Sequence, residues 1–253
     1  RRPDWVARGT LAALLLATGV LYIAGLSASG YANSFYSAAA QAGSQNWEAW
    51  FYGSLDGGNS ITVDKPPASL WIMGLSVRLF GLSSWSILVP EALLGVASVG
   101  VLYASLRRTL RLGWVAPITF TERQAHWAAL AGAATMALTP AGVLMFRFNN
   151  PDALLVFCLT LASYFTVRAC ERASRRHLVY AGIAIGFGFL TKMLQAFVIL
   201  PALVVAYLVA APATWKKKLV DLLAAFAAVI VSAGWYVAIV ELMPTSMRPY
   251  IGG

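Results

Sequence analysis

Two short clusters contain the residue types that acid–base chemistry and phosphate binding require: D-K-P-P at 64–67 and R-F-N-N-P-D at 147–152. A carboxylate can accept a proton, and an ammonium or guanidinium can bind a phosphate. Because the two prolines restrict the backbone and permit a helix to begin directly after them, Asp64 and Lys65 are predicted to lie at a fixed helix start. The alternatives are structural: a helix cap with a lysine that reaches the membrane surface, and N-terminal helix capping by Asp152.

The composition places these clusters in a membrane protein. Of the 253 residues, 59% are hydrophobic and 11% are charged, whereas soluble domains carry roughly 25% charged residues. The net charge of +9 comes from Lys and Arg residues that mostly interrupt long apolar runs. Nucleic-acid binders instead cluster their basic residues on a water-exposed face, so nucleic acid is not an expected partner and a lipid bilayer is.

Seven apolar runs are predicted to cross that bilayer. The first, at 9–28, exceeds the apolar core of a cleaved signal peptide and is interpreted as a retained span. The other six runs are 84–106, 126–145, 153–169, 179–193, 195–211 and 219–240. The sequence therefore predicts an all-α polytopic membrane protein, with about seven transmembrane helices in a single transmembrane domain over 1–253.

The segment at 65–81 is apolar but short, and it carries Arg78. If this segment does not cross, 14 of the 19 Lys and Arg residues lie on the inner face; if it crosses, only 7 do. Because cytoplasmic loops carry an excess of Lys and Arg, the first arrangement is favoured, with the N-terminus inside and the C-terminus outside. The segment then lies along the external membrane surface as an amphipathic or re-entrant helix, within a first external loop at 29–82 that holds juxtamembrane helices.

Aromatic residues are frequent in this external loop, at Trp47, Trp50, Phe51 and Tyr52. We interpret them as anchors at the membrane interface, where Trp and Tyr are enriched. Stacking against a sugar is the alternative.

The candidate groups reach the outer face together in this orientation. Lys192 lies in a short turn between two spans and belongs beside an aqueous cavity, because a lipid-facing lysine at mid-membrane would cost about 3 kcal/mol or more. Glu91 either joins the group or pairs with an external base such as Arg78. Ionisable groups at a membrane edge indicate a functional site. Those on the outer face are Asp56, Asp64, Lys65, Arg147, Asp152 and Lys192.

Several other kinds of site are not expected at this face. His126 and His177 fall at the inner ends of spans, which excludes a histidine metal site or a catalytic triad on the outer side. The sequence has no P-loop and no dinucleotide-binding motif. The three external aspartates could bind a divalent cation, so metal dependence stays open.

Several motifs follow one another along nearly the whole chain: D-K-P-P at 64–67, L-F-G at 79–81, V-P-E-A-L-L-G at 89–95, F-R-F-N-N-P-D-A-L-L at 146–155 and F-L-T-K at 189–192. In order and spacing they resemble the polytopic GT-C glycosyltransferases of family 39, and bacterial members above all. That family includes protein O-mannosyltransferases and the bacterial transferases that add aminoarabinose to lipid A.

The resemblance implies an enzyme that takes a hexose or pentose from a polyprenyl-phosphate carrier and transfers it with inversion. The acceptor would be a glycan, a lipid or a protein on the outer side of the bacterial cytoplasmic membrane, and no cofactor is required. Asp64 and Lys65 match the acidic-Lys-Pro motif whose lysine contacts the carrier phosphate, Asp152 matches the acid of the second external motif, and Lys192 matches the basic residue at the hinge. The expected roles are catalytic for Asp64 first and Asp56 second, phosphate- or donor-binding for Lys65, Lys192 and Arg147, and substrate-orienting for Asp152, Asn150 and Asn33.

Two features depart from the family pattern. Family members place an acidic pair shortly after the first span, and its first acid is the usual base, but here that stretch is Y-A-N-S at 31–34. Asn33 cannot act as a base, so either Asp56 or Asp64 takes the role or this subgroup activates its acceptor differently. Relatives also continue through more spans, so the chain is expected to be the N-terminal membrane portion of a longer protein.

Two other functions compete with the transferase. A lipid-linked sugar flippase or transporter would need the same groove and cations, but it would place polar groups near the bilayer midplane, often in paired repeats. The sequence has no internal repeat. A non-catalytic membrane scaffold is the third possibility, favoured if the chain is complete and Asn33 reflects lost activity.

Overall fold

The computed structural model describes residues 5–112 and 120–252, so Arg1 and Arg2, predicted to precede the first span on the inner face, lie outside the described residues. The described residues form eleven α-helices, joined by turns and three short 3₁₀-helices at Leu26–Ser29, Met193–Phe197 and Thr245–Met247. The α-helices are α1 (Trp5–Ile23), α2 (Ser34–Gln45), α3 (Trp47–Tyr52), α4 (Ala68–Phe80), α5 (Ser84–Arg111), α6 (Glu122–Leu138), α7 (Pro140–Met145), α8 (Asp152–Arg172), α9 (Arg175–Lys192), α10 (Leu200–Ala210) and α11 (Trp215–Leu242).

Five helical segments have the length and hydropathy to cross a membrane: Trp5–Ser29, Ser84–Arg111, Asp152–Arg172, Arg175–Phe197 and Trp215–Leu242. Two shorter helices, α6 with 17 residues and α10 with 11, fall on the remaining predicted spans. The predicted all-α architecture with several membrane-spanning helices is confirmed. One predicted span is divided, because the run at 126–145 breaks before Pro140 into α6 and α7.

Helix α4 has 13 residues, which rise only about 20 Å and do not cross a hydrocarbon core of about 30 Å. It packs against α2 and α5. Its buried residues Leu70, Met73 and Val77 join a core cluster with Tyr36 of α2 and Leu88 of α5. Helices α2, α3 and α4 therefore form one packed layer, which we call the juxtamembrane layer after its predicted position at the membrane surface; that position stays a prediction.

Helix α9 packs along both α8 and α11. Its contact with α11 depends on two glycines one turn apart, because a Cβ at Gly182 would collide with the carbonyl oxygen of Ala225 and one at Gly186 with the hydroxyl of Ser232. Small residues at such positions let two helix backbones approach closely in a membrane. The position of the C-terminal end of α9 is thus fixed by α11.

The acidic residues at one end of the helix bundle pair with neighbouring cations. Glu171 accepts from Arg108 at 2.7 Å, and the fully buried Asp221 accepts from Arg175 at 2.7 Å and from Lys217. We call this end of the bundle the opposite end, to distinguish it from the site end. The site end is the end where α1, α7 and α9 terminate and where α2, α3, α4, α5 and α8 begin.

Two segments in extended conformation lie at the site end, the loop between α3 and α4 and the segment after α11. Between α3 and α4 the chain folds back on itself, with the Leu55 amide donating to the Ile61 carbonyl at 2.9 Å. The segment after α11 lies beside this loop, because the Thr62 amide donates to the Tyr250 carbonyl at 2.9 Å and the Tyr250 amide donates to Ser60 at 2.9 Å. Residues far apart in sequence thereby hold the loop that leads into Asp64.

Candidate active site

Asp64 and Lys65 lie at the site end just before α4. The Lys65 ammonium lies 2.7 Å from Asp64 Oδ2, and the Tyr36 hydroxyl donates to Asp64 Oδ1 at 3.3 Å. Val63, directly before them, is buried in the core and anchors the pair. The Asp64 side chain is nevertheless 46% exposed, so its carboxylate is oriented by two donors and still accessible to a substrate.

Tyr36 reaches Asp64 from the first turn of α2. Burial raises the pKa of the Tyr36 phenol to about 12, and the neighbouring Asp64 carboxylate adds to the rise. The phenol therefore remains protonated and donates to Asp64 throughout the neutral pH range. No local pattern predicts this contact, because it depends on how α2 packs against the loop before α4.

A second acid–base pair joins the start of α8 to the end of α9. Lys192 Nζ lies 2.6 Å from Asp152 Oδ1, and both side chains are mostly buried. The helix termini favour this arrangement, because a carboxylate is stabilised at a helix N-terminus and a cation at a C-terminus. The predicted alternative of N-terminal capping by Asp152 is wrong, because Pro151 holds the N-cap position and Asp152 is the first helical residue. The Asp152 amide donates to Asn150 Oδ1 at 2.7 Å.

The chain turns sharply directly after Lys192. Met193 has φ 50° and ψ −129°, a conformation that non-glycine residues rarely adopt and that costs of order 1–3 kcal/mol. A stack of Phe189 on Phe197, with ring centroids 5.5 Å apart, packs the end of α9 against the 3₁₀-helix that follows. The turn at Met193 and the stacked rings thus hold Lys192 at the site end.

A cavity of about 530 Å³ is lined by the lysines of both pairs. It is bounded by the ammonium-bearing residue of each pair, Lys65 and Lys192, together with the amide of Gln195. Two cations and an amide donor in one partly desolvated cavity suit a phosphate group. The other lining residues are Phe189, Met193 and Leu194.

An apolar groove of about 450 Å³ lies between α4, α8 and α9. Its wall includes Ala68, Leu154 and Phe187, which are close in sequence to Lys65, Asp152 and Lys192 respectively. From there it follows α8 as far as Phe165, a rise of about 17 Å. The groove therefore leads from the charged groups deep into the bundle, and a hydrocarbon chain fits its chemistry.

Asp56 and Arg147 have local structural partners. Asp56 accepts hydrogen bonds from the Gly58 amide at 2.9 Å and from the Ser60 amide and hydroxyl at 3.2 and 3.1 Å, which shape its turn. Arg147 donates to the carbonyls of Leu21 at 2.6 Å and Ala24 at 2.8 Å, near the end of α1. In these contacts both side chains satisfy backbone groups.

Asn33 caps α2, because its Oδ1 accepts from the Phe35 amide at 3.0 Å. Its own backbone is held by Asn149, which accepts from the Asn33 amide at 2.7 Å and donates to the Asn33 carbonyl at 2.9 Å. Asn149 also donates to Ser37 at 2.7 Å. These bonds join the loop before α2 to the loop before α8 and so position Asp152 relative to Tyr36.

Glu91 does not pair with Arg78, so that alternative is wrong. Arg78 donates to the Gly43 carbonyl at 3.1 Å and lies 3.7 Å from the centre of the Trp47 ring. Glu91 is fully buried, and neither carboxyl oxygen has a hydrogen-bond partner among the described residues. It lies close enough to Asp152 for the two carboxyls to interact electrostatically.

The aromatic residues of the juxtamembrane layer mostly pack between helices. Trp50 of α3 donates to the Trp71 carbonyl of α4 at 2.9 Å, and Trp71 contacts Trp235 of α11 with centroids 6.1 Å apart. Tyr52 is buried. The interpretation as an interface anchor is therefore wrong for the buried Tyr52. Trp50 is partly buried and joins α3 to α4, and its role as an anchor stays a prediction.

No group of three His, Cys, Asp or Glu side chains that could hold a metal ion occurs in residues 5–112 and 120–252. Asp56, Asp64 and Asp152 thus do not form such a group with one another. Metal dependence stays a prediction.

Comparison with known proteins shows extensive similarity to bacterial proteins. YkcB of Bacillus subtilis (strain 168) is 40% identical over 240 residues, which cover 94% of this chain and 31% of YkcB. YycA of the same organism is 39% identical over 222 residues, covering 87% of this chain and 30% of YycA. Both carry the provisional name of mannosyltransferase, and this chain spans about a third of their length.

Solved structures of two proteins share the fold. The protein O-mannosyltransferase Pmt1-Pmt2 complex of S. cerevisiae, bound to the sugar donor, matches 96% of this chain and 34% of its own with a TM-score of 0.68 at 16% identity. ArnT from Cupriavidus metallidurans in the apo state matches 94% of this chain and 42% of its own, also with a TM-score of 0.68, at 20% identity. ArnT bound to undecaprenyl phosphate matches with a TM-score of 0.57.

The family model described as dolichyl-phosphate-mannose-protein mannosyltransferase matches residues 64–236. That range begins at Asp64 and includes Lys65, Asp152 and Lys192, the two acid–base pairs at the site end. The resemblance to the family 39 GT-C glycosyltransferases is confirmed, and this multi-pass membrane chain belongs to the dolichyl-phosphate-mannose-protein mannosyltransferase family.

Proposed function

We propose that the protein is a membrane glycosyltransferase that takes a sugar from a polyprenyl-phosphate carrier and transfers it, with inversion, to an acceptor at the outer face of the bacterial cytoplasmic membrane. One observation carries this proposal: Lys65 and Lys192 share a cavity whose flanking residues lead into a long apolar groove. A phosphate linked to a prenyl chain has the matching chemistry, with an anionic head and a hydrocarbon tail.

The two lysines act on the phosphate. Charge-assisted hydrogen bonds to phosphate are stronger than neutral ones, and more so where water is partly excluded. As the bond between the sugar and the phosphate breaks, negative charge grows on the leaving phosphate, and cations already in place stabilise that transition state without reorganisation. Lys65 and Lys192 are proposed to supply this stabilisation.

Asp64 is the proposed base. Its carboxylate takes the proton of an acceptor hydroxyl while the hydroxyl oxygen forms a bond to the anomeric carbon from the face opposite the phosphate. The bond from that carbon to the phosphate oxygen breaks, and the carrier phosphate leaves with the electron pair. The exposure of Asp64 favours it over Asp56, whose oxygens already accept three hydrogen bonds within a turn.

The family model supports mannose as the first sugar to test, and the names of the Bacillus relatives support the same choice. The binding of undecaprenyl phosphate by ArnT supports a polyprenyl carrier. A glycan, a lipid or a protein remains the proposed acceptor, and Asp152 is proposed to orient the sugar from beside Lys192.

The experiment uses full-length protein in membrane vesicles with radiolabelled mannosyl polyprenyl phosphate and a cell-envelope acceptor fraction. Asp64→Asn is expected to lower transfer at least about 100-fold, the contribution typical of general base catalysis. Glu48→Gln is the matched control, because Glu48 is an exposed carboxylate of α3 at the same end. Both variants should unfold at the wild-type temperature.

The products separate the competing functions. A transferase releases carrier phosphate only when acceptor is added. A lipid-linked sugar flippase moves the intact donor between leaflets and releases none, and a scaffold does neither. Wild-type turnover in Asp64→Asn would exclude Asp64 as the base.

A further inference from the structure

Glu91 is the most unusual polar residue of the bundle. It lies in α5 directly after Pro90, is fully buried, and has two carboxyl oxygens without a hydrogen-bond partner in the described part of the chain. Burying a polar group without a partner costs about 1–3 kcal/mol, and a buried charge without a partner costs far more. A carboxyl in this position is therefore uncharged, and it retains a proton that it can donate.

The surroundings of Glu91 connect it to the candidate site. Its neighbours Leu88 and Ala92 pack in the same cluster as Tyr36 and Ala153, and Ala153 directly follows Asp152. Both Tyr36 and Glu91 are close enough to Asp152 to interact with it electrostatically. Glu91 is thus connected to Asp152 through the core cluster that its neighbours share with Ala153.

Lys192 would serve two anions once a phosphate enters the cavity. It already donates to Asp152 at 2.6 Å, and the proposed function requires it to bind the carrier phosphate as well. Each hydrogen bond given to the phosphate weakens the hold of Lys192 on Asp152, and the phosphate adds negative charge nearby. Asp152 then needs a second donor, and an uncharged carboxyl is the group that can supply one without adding another negative charge.

We propose that Glu91 is a positioning residue that, as an uncharged acid, donates a hydrogen bond to Asp152 when Lys192 turns to the carrier phosphate. This inference rests on the proposed function and deepens it, because it names the group that lets one lysine serve two anions. The step is a change of hydrogen-bond partner: no covalent bond is made or broken, and the proton stays on Glu91.

The test measures the affinity of the full-length protein for undecaprenyl phosphate in detergent, together with the unfolding temperature. Glu91→Met keeps a similar volume and removes the donor, and we expect about tenfold weaker binding, the equivalent of about 1.4 kcal/mol. Because the same change removes an unpartnered buried carboxyl, the unfolding temperature should stay the same or rise. If Glu91 were needed only for packing, its replacement by Met would not weaken carrier binding and raise the unfolding temperature at the same time.

Two further variants sharpen the test. Glu91→Gln retains a donor of the same length and should restore the affinity to within about threefold of wild type. That loss is smaller than the loss expected when a hydrogen bond to a charged group is removed. Ser98→Ala is the matched control, because Ser98 is also fully buried in α5 but its hydroxyl donates within its own helix, to the Leu94 carbonyl. In an Asp152→Asn background, Glu91→Met should no longer change the affinity, because the charged acceptor is gone.

Each outcome decides between the two proposals. If wild type binds undecaprenyl phosphate and Glu91→Met binds it equally well, the role of Glu91 is overturned and the glycosyltransferase proposal stands. The same holds if Glu91→Gln is as weak as Glu91→Met. If wild type does not bind undecaprenyl phosphate at all, the carrier itself is wrong and both proposals fall.

Discussion

At the scale of single residues, the orientation of Asp64 depends on the Tyr36 hydroxyl. Tyr36→Phe removes this donor and leaves the ring in place, so we expect about tenfold slower sugar transfer with little change in carrier binding, as for the loss of one hydrogen bond to a charged group. Turnover and carrier affinity, measured separately, check this split. Equal losses in both would show that Tyr36 acts on binding and not on the base.

The pKa of Tyr36 gives the same variant a second signature. The folded protein keeps the phenolic proton up to about pH 12, whereas the unfolded chain loses it near pH 10. The Tyr36 contribution to stability is therefore complete below pH 10 and is lost as the pH rises from 10 to about 12. Unfolding midpoints at several pH values should fall more steeply in this window for wild type than for Tyr36→Phe.

Residue types and the family resemblance identified the four residues of the two pairs and placed Asp64 before Asp56 as the base, but they supplied no structural reason for that order. Asp56 and Asp64 are both acids in one loop, and only the folded turn shows that Asp56 accepts three local hydrogen bonds while Asp64 stays accessible. The contact between Asp152 and Lys192 joins residues 40 positions apart, which no local pattern predicts. Glu91 was noticed only as a charge in an apolar helix, because burial without a partner is a property of packing.

At the scale of helices, the close approach of α9 and α11 determines where Lys192 lies. Gly182→Ala would place a methyl group against the Ala225 carbonyl, a backbone atom that cannot rotate away. We expect a loss of about 1–3 kcal/mol in the free energy of unfolding, as for overpacking elsewhere. Thermal unfolding in detergent checks this value.

Gly234→Ala is the matched control for that substitution. It lies in α11, where an added Cβ would have its nearest neighbour at 3.8 Å, an ordinary contact distance. Its unfolding temperature should stay at or above that of wild type, because alanine is the better helix former. A Gly182→Ala variant as stable as this control would mean that α9 and α11 can separate without cost.

Hydropathy was sufficient to predict where the long apolar helices lie, because the bilayer requires every spanning segment to satisfy its own backbone hydrogen bonds. The break before Pro140 was missed, since the apolar run continues through it. The strained turn at Met193 has no glycine that would indicate it in the sequence. The pairing of Thr62 with Tyr250 depends on contacts between distant segments. These features arise from tertiary packing, which overrides local preference.

At the scale of the whole molecule, the two ends of the bundle differ in chemistry. The candidate pairs lie at the site end, while Glu171 and Asp221 pair with arginine and lysine at the opposite end. The excess of Lys and Arg in the loops of the opposite end predicts that this end faces the cytoplasm. The site end would then open outward, where an acceptor of the cell envelope is available.

Cysteine labelling tests this orientation directly. Cys158 and Cys170 are both buried, so we expect them to react little with a membrane-impermeant maleimide. Glu48→Cys places an exposed thiol at the site end and Lys216→Cys places one at the opposite end. In intact cells we expect labelling of Glu48→Cys alone, and labelling of Lys216→Cys only after the membrane is permeabilised. The reverse pattern would put the Lys65 and Lys192 cavity on the cytoplasmic side, where the sugar would have to be transferred before the carrier crosses the membrane.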